Sequence, residues 1–159
     1  MSEKIAVNLP HHKSKQLCTT RTPYRQGNKL TAVKVYTITK ESQHLLIFNV
    51  PSLGLESELL KFCKKFGKVS GFHLVTDYKK ESLDLFTCVF HIFYADLKSS
   101  RFAKKKLDNH VFYGSSLHVC YAPELESLDE TRIKLQHRRK EISLRIKMNN
   151  SGHKEFQCK

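Results

Sequence analysis

A chain of 159 residues has room for one compact domain with extensions, or two very small ones. At 40% apolar residues it holds enough for a real core. Its 28 Lys and Arg against 15 Asp and Glu leave a formal charge of +13, which favours a polyanionic partner such as RNA, DNA or a membrane surface over a merely solvated basic surface.

The five cysteines, Cys18, Cys63, Cys88, Cys120 and Cys158, are odd in number and form no Cys-x-x-Cys pair. That argues against a disulfide framework and against a zinc cluster. No run is apolar and long enough for a signal peptide or a membrane span, so a nuclear or cytoplasmic address follows by elimination.

In chain order, residues 1–28 form a polar, basic arm broken by Pro10, Pro23 and Gly27, mostly disordered. Residues 29–43, with the string AVKVYTI, make an extended segment or an extra strand. HLLIFNV (44–50) is a β-type run stopped by Pro51 and Gly54. LESELLKFCKKFG (55–67) has helical spacing at Leu59, Cys63 and Phe66, with Gly67 suited to its C-terminal cap. VSGFHLVTDY (69–78) is a second strand, KKESLD a charged loop, and FTCVFHIFY (86–94) a third strand. SSRFAKKKLD (99–108) is a second helix with a serine available as N-cap and Lys104, Lys105 and Lys106 on its outer face. A loop with Asn109 and Gly114 leads to a fourth strand, LHVCYA (117–122). Residues 123–147 read as a helix, with acids leading and bases trailing along the helix dipole, and residues 148–159 as a disordered tail.

The order β-α-β-β-α-β over residues 44–122 predicts an α+β, ferredoxin-like RNA-recognition motif (RRM), here with an N-terminal arm or strand and a C-terminal helix. Such a sheet keeps one face for RNA. Leu46 and Phe48 share that face, with Leu45 and Ile47 toward the helices. In the third strand the octamer positions usually held by stacking aromatics carry Val89 and His91. Phe93 follows on the same face, while Phe90, Ile92 and Tyr94 point inward. Phe48, His91 and Phe93 are therefore the expected sheet contacts, unless another segment or a protein covers them. Arg21, Tyr24, Arg25 and Lys29 are the expected RNA contacts of the arm, a stacking ring among phosphate-binding cations; Lys34 adds to that group, and Lys134, Arg138, Arg139 and Lys140 form a second basic group on the last helix. Leu128, Leu135 and Ile142 fall seven apart as a narrow apolar stripe for a partner. No HExxH, His-Cys-Cys spacing, phosphate loop or nucleophile elbow occurs. The reading is therefore no enzyme, no cofactor and no metal, with His11 and His12 a poor metal pair in a floppy arm.

The strings AVKVYTITKESQHLLI and LHVCYAPELESLDETRIKLQHRRK, and more loosely RTPYRQGNKL, resemble the RNA-binding protein 48 family across most of the chain. That resemblance implies a nuclear splicing factor of the minor, U12-type spliceosome. It implies action at the capped 5′ end of the U6atac small nuclear RNA, with an armadillo-repeat partner and other spliceosomal proteins, and no membrane. The alternative is a protein-interaction adaptor whose sheet contacts protein rather than RNA.

Overall fold

The β-type runs pair into one antiparallel sheet. β1 (His44–Pro51) lies between β3 (Thr87–Tyr94) and β6 (His118–Tyr121), with β2 (Val69–Leu74) outside β3, so the order is β2-β3-β1-β6. Helix α2 (Glu56–Lys64) joins β1 to β2 and α3 (Leu97–Leu107) follows β3; a short α1 (Pro23–Gln26) precedes them all. With its first and third main strands at the centre, this is the RRM arrangement expected from the sequence. The computed structural model describes residues 9–76 and 86–155, in two units, Met1–Leu125 and Glu126–Lys159. The KKESLD loop and the end of the expected second strand lie outside the described residues. No helix among the described residues is long and apolar enough to cross a membrane.

Strand alternation sorts the core. Leu45, Ile47, Phe90, Ile92, Tyr94, Val119 and Tyr121 form one cluster with Leu59 and Cys63 of α2 and Ala103 and Leu107 of α3. Each fully buried Leu or Ile contributes about 1.5–3 kcal/mol of transfer free energy. The Tyr94 hydroxyl enters this core because it donates to the Cys63 carbonyl at 3.0 Å. At Asn49 (φ 62°) the β1–β3 register shifts, and the bulge returns Val50 to the core side. Burial pushes the Cys63 and Cys120 thiols up to about 12, the chemistry of inert core residues.

Several expectations are corrected. Helix α3 starts at Leu97, and its N-cap is Asp96 rather than a serine. The Asp96 carboxylate accepts from the Ser99 amide at 2.9 Å and from the Ser99 hydroxyl at 2.6 Å, so the serine is the third helical residue. Gly67 sits against this cap: a Cβ there would lie 2.1 Å from Ser99 Oγ, so close approach of the helix ends explains the glycine better than a C-cap does. Lys104 is not on the outer face. Ser100, Ala103, Lys104 and Leu107 share the inward stripe of α3, and Lys104 is buried. Its Nζ donates to Val119 O at 2.6 Å and to Asp108 Oδ2 at 3.1 Å, and lies 5.4 and 5.7 Å from the Tyr36 and Tyr121 rings. The loop after α3 contains a hairpin, β4 (Val111–Phe112) with β5 (Ser115–Ser116). Tyr113 (φ 46°) and Gly114 (φ 85°) take the two left-handed turn positions.

Residues 29–43 add no strand. Tyr36 instead packs edge-on to Tyr121 (5.1 Å) and against the cluster on the helix side, which takes the segment away from a sheet edge. In the second unit, α4 runs Leu128–Glu155, later to start and longer than the helix expected over 123–147, and it includes the first residues expected to be tail. A capping box starts it: the Ser127 amide donates to Glu130 Oε2 at 2.7 Å, and the Glu130 amide to Ser127 Oγ at 3.2 Å.

Replacing Lys104 by Met leaves the Asp108 carboxylate and Val119 carbonyl without their ammonium, and is expected to cost about 3–5 kcal/mol in urea denaturation. The same change at exposed Lys105 is expected to stay within about 0.5 kcal/mol. Gly67→Ala is expected to cost about 1–3 kcal/mol in the same measurement, because its Cβ would meet both Oγ and Cβ of Ser99.

Candidate nucleic-acid interface

The face of the sheet opposite the helices is made by every second residue of the four strands. Leu46 and Phe48 of β1, Val89 of β3 and Cys120 of β6 pack there with Val75 and Ala122, and Leu125 of the turn Pro123–Leu125 rests against them. The expected alternation therefore holds. Phe48, however, is buried: the His12 ring lies 6.2 Å away on one side and the His118 ring 5.5 Å away on another. Val89 is buried as well. Leu46, Phe48 and Val89 of this face thus spend their apolar surface on contacts within the chain.

Where β1, β3 and β2 cross, three histidines form a ladder. His44 Nδ1 is 2.9 Å from His91 Nε2, and His91 Nδ1 is 3.0 Å from His73 Nε2. The β2–β3 register sets His73 opposite His91. A neutral imidazole has one donor and one acceptor, so the two inter-ring hydrogen bonds can run in a single direction along the ladder. Burial, then the neighbouring His44 and His73, bring the His91 pKa down to about 3, against an opposing influence of the Glu124 charge. His44 also stacks on Phe93, centroids 4.4 Å apart and planes 12° apart. Of the three expected sheet contacts, Phe48 and His91 are buried and Phe93 is half-buried. His73, the exposed end of the ladder, was missed; its place opposite His91 depends on a cross-strand register that residue types alone do not give.

The arm residues sit elsewhere. Arg21 spends both terminal nitrogens on the backbone, Nη1 on Thr31 O (2.7 Å) and Nη2 on Ala32 O (2.9 Å), while Gln26 donates to Arg21 O (2.7 Å). It ties the arm into a loop. Lys29 Nζ donates to Asp108 O at 2.6 Å, fastening that loop to the end of α3. Lys34 Nζ donates to Arg25 O. Tyr24 is 78% exposed on α1, with the Arg25 guanidinium 5.4 Å from its ring centroid. Tyr24 and Arg25 therefore form a ring-and-cation pair open to solvent, held by Arg21 and Lys29 as struts. They belong with the helix layer, not with the sheet face that carries Phe48, His91 and Phe93.

On α4, Leu128, Leu135 and Ile142 are exposed and fall on one side with Ile146. Ile133, Leu144 and Met148, also exposed, fall on the opposite side, so the helix shows two apolar stripes. Lys134 pairs with Glu126 (2.6 Å) and Arg138 with Glu141 (3.1 Å).

No protein-family model matches the chain. Curated vertebrate proteins do. Human "RNA-binding protein 48" is 45% identical over 129 residues, 81% of this chain and 34% of that protein. The zebrafish (Danio rerio) protein of the same name is 41% identical over 133 residues, 84% and 36% of the two chains. The chain thus spans about a third of the length of these relatives. Among solved structures, "Pes4 RRM3 Structure" aligns with a TM-score of 0.45 at 21% identity, over 54% of this chain and 98% of that one. "Structure of Rna15 RRM with bound RNA (GU)" aligns with a TM-score of 0.44 at 18% identity, over 62% and 98%.

The ladder predicts an acid-sensitive fold. An unfolded histidine takes its proton near pH 6.5, whereas folded His91 refuses it down to about pH 3. Between those values the unfolded state binds more protons, so stability is full above pH 6.5 and falls as pH drops toward 3. Urea midpoints measured from pH 7 to 4 are expected to fall less in His91→Leu than in the parent. An equal slope in both would assign the acid sensitivity to other groups.

Proposed function

We propose that this chain, which belongs to the RNA-binding protein 48 family over the four-fifths of its length matched above, is a non-catalytic RNA-binding protein that acts at the capped 5′ end of a small nuclear RNA. The observation that carries the reading is the 45% identity over 129 residues to a protein named for RNA binding. The formal charge of +13 and the RRM sheet support it. The finer reading follows the family: a nuclear component of the minor spliceosome, with U6atac as its RNA and an armadillo-repeat protein beside it.

Within this reading, the exposed Tyr24–Arg25 pair supplies stacking and phosphate contact, and Phe93 and His73 supply the accessible part of the sheet. Base stacking on an aromatic ring contributes about 1–3 kcal/mol. A second reading, a protein-interaction adaptor, is favoured by one observation: Leu46, Phe48, Val89 and His91 are buried, so the usual platform is already filled.

The test is RNA binding by fluorescence anisotropy with capped and uncapped 5′-end oligonucleotides at two salt concentrations, with and without the armadillo partner. Cap-dependent binding is expected, with a log–log salt slope near −0.7 per phosphate neutralised. Tyr24→Ala with Arg25→Ala is expected to weaken it roughly tenfold or more. Absence of RNA binding alongside a tight protein complex would establish the adaptor reading instead.

A further inference from the structure

We propose that His11, His12 and Glu124 form a binding site for a divalent transition-metal ion of the zinc class, which staples the N-terminal segment to the end of the RRM sheet. The donors come from opposite ends of the domain. A single 3-10 turn, Pro10–His12, carries the two histidines, closed by the His12 amide donating to Leu9 O at 3.0 Å. The turn Pro123–Leu125, directly after β6, carries Glu124. Both imidazoles converge on the one carboxylate: His11 Nε2 is 2.9 Å from Oε2, and His12 Nε2 is 2.6 Å from Oε1. One donor atom from each residue lies within 4.8 Å of the others.

Two imidazole nitrogens and a carboxylate oxygen are the donor set of zinc sites with three protein ligands and an open fourth position. With metal–ligand bonds of about 2.0–2.2 Å, tetrahedral donors stand about 3.4 Å apart. The two histidine-to-carboxylate spacings open by roughly 0.5 and 0.8 Å to admit the ion, a change within reach of side-chain torsions. The surroundings are set for the task. The His12 side chain is 1% exposed, so its ring direction is fixed by packing, and the His12 carbonyl is 2.8 Å from His118 Nε2 of β6. His118 in turn lies 3.6 Å from the Asp108 carboxylate. The His11 side chain is 44% exposed, which leaves a solvent path to the fourth position.

The location gives the ion a consequence. The His12 ring stands 6.2 Å from Phe48, so an ion bound here holds the N-terminal segment beside the aromatic residue of β1 on the face opposite the helices. Adjacent histidines in a basic arm were a poor ligand pair on sequence alone; Glu124, 112 residues further on, is the missing third donor.

The experiment is titration of the reduced, metal-free full chain with Zn²⁺ by calorimetry, and with Co²⁺ by visible absorption. Expected are one ion per chain, tetrahedral cobalt bands, and a higher melting temperature with excess Zn²⁺, because an ion that binds only the folded state stabilises it. His11→Ala and Glu124→Gln are each expected to weaken binding at least tenfold. His137→Ala, on exposed α4, is expected to leave it unchanged. His11 is surface-exposed, so its variant reports on binding even where Glu124→Gln proves less stable. No stoichiometric binding, or equal binding by the parent and His11→Ala, would overturn the proposal.

Discussion

One buried ammonium group connects three parts of the first unit. Lys104 Nζ is held by Val119 O and Asp108 Oδ2, with the rings of Tyr36 and Tyr121 alongside. An ammonium taken out of water is costly unless its hydrogen bonds are all met, and here a carbonyl, a carboxylate and two ring faces meet them. Asp108 extends the connection: its Oδ1 accepts from the Val119 amide at 3.0 Å, and its carbonyl accepts from Lys29. Burial works against the Asp108 carboxylate, but the His118 hydrogen bond and the Lys104 charge outweigh it and bring its pKa down to about 2. The end of α3, the edge strand β6 and the arm are therefore fixed together. The arm lies with the helix layer for this reason, and Tyr24 and Arg25 are displayed there.

The opposite face follows another logic. An ordinary RRM leaves flat aromatic rings bare on this face, and their planes provide base stacking. Here the central strand pair places small or branched apolar groups at Leu46 and Val89 and hydrogen-bonded imidazoles at His44 and His91, and His73 of the edge strand β2 completes the ladder. Each ladder nitrogen engaged with a neighbouring ring is unavailable to a base edge. The free resources of the face are the half-buried Phe93 and the exposed His73. On the reading proposed above, recognition shifts from the middle of the sheet to its margins and to the arm.

Local pattern made much of this legible. The runs at 44–50 and 86–94 gave the central strands and the correct inward residues, because strand alternation has a period of two and the core is strongly apolar. Failures came where residue type and position disagree. Lys104 was placed outward by its charge, although its spacing with Ser100, Ala103 and Leu107 puts it on the inner stripe. A serine at the start of 99–108 fits an N-cap by type, but the carboxylate three residues before Ser99 is the stronger acceptor. The Ser127–Glu130 capping box is written in the sequence as S-x-x-E and marks the true start of the last helix. The arm's role was hardest to see. The bonds of Lys29 to Asp108 and of His12 to Glu124 join residues far apart along the chain, and no local periodicity encodes them.

Covering Phe48 with the chain's own residues has an energetic consequence for binding. A base can stack on that ring only after His12 withdraws, which also means breaking the 2.6 Å contact with Glu124 and the contact between the His12 carbonyl and His118. The binding-competent state of this part of the sheet is then a minor one, and the apparent affinity for a ligand there falls by its fractional population. A ligand that uses Tyr24 and Arg25 meets no such penalty, because those side chains are already exposed and their loop is already ordered by Arg21. The two regions therefore differ in preorganisation more than in chemistry. On the reading proposed above, the arm is the preorganised surface, and Phe48 becomes available only to a partner able to displace the N-terminal turn.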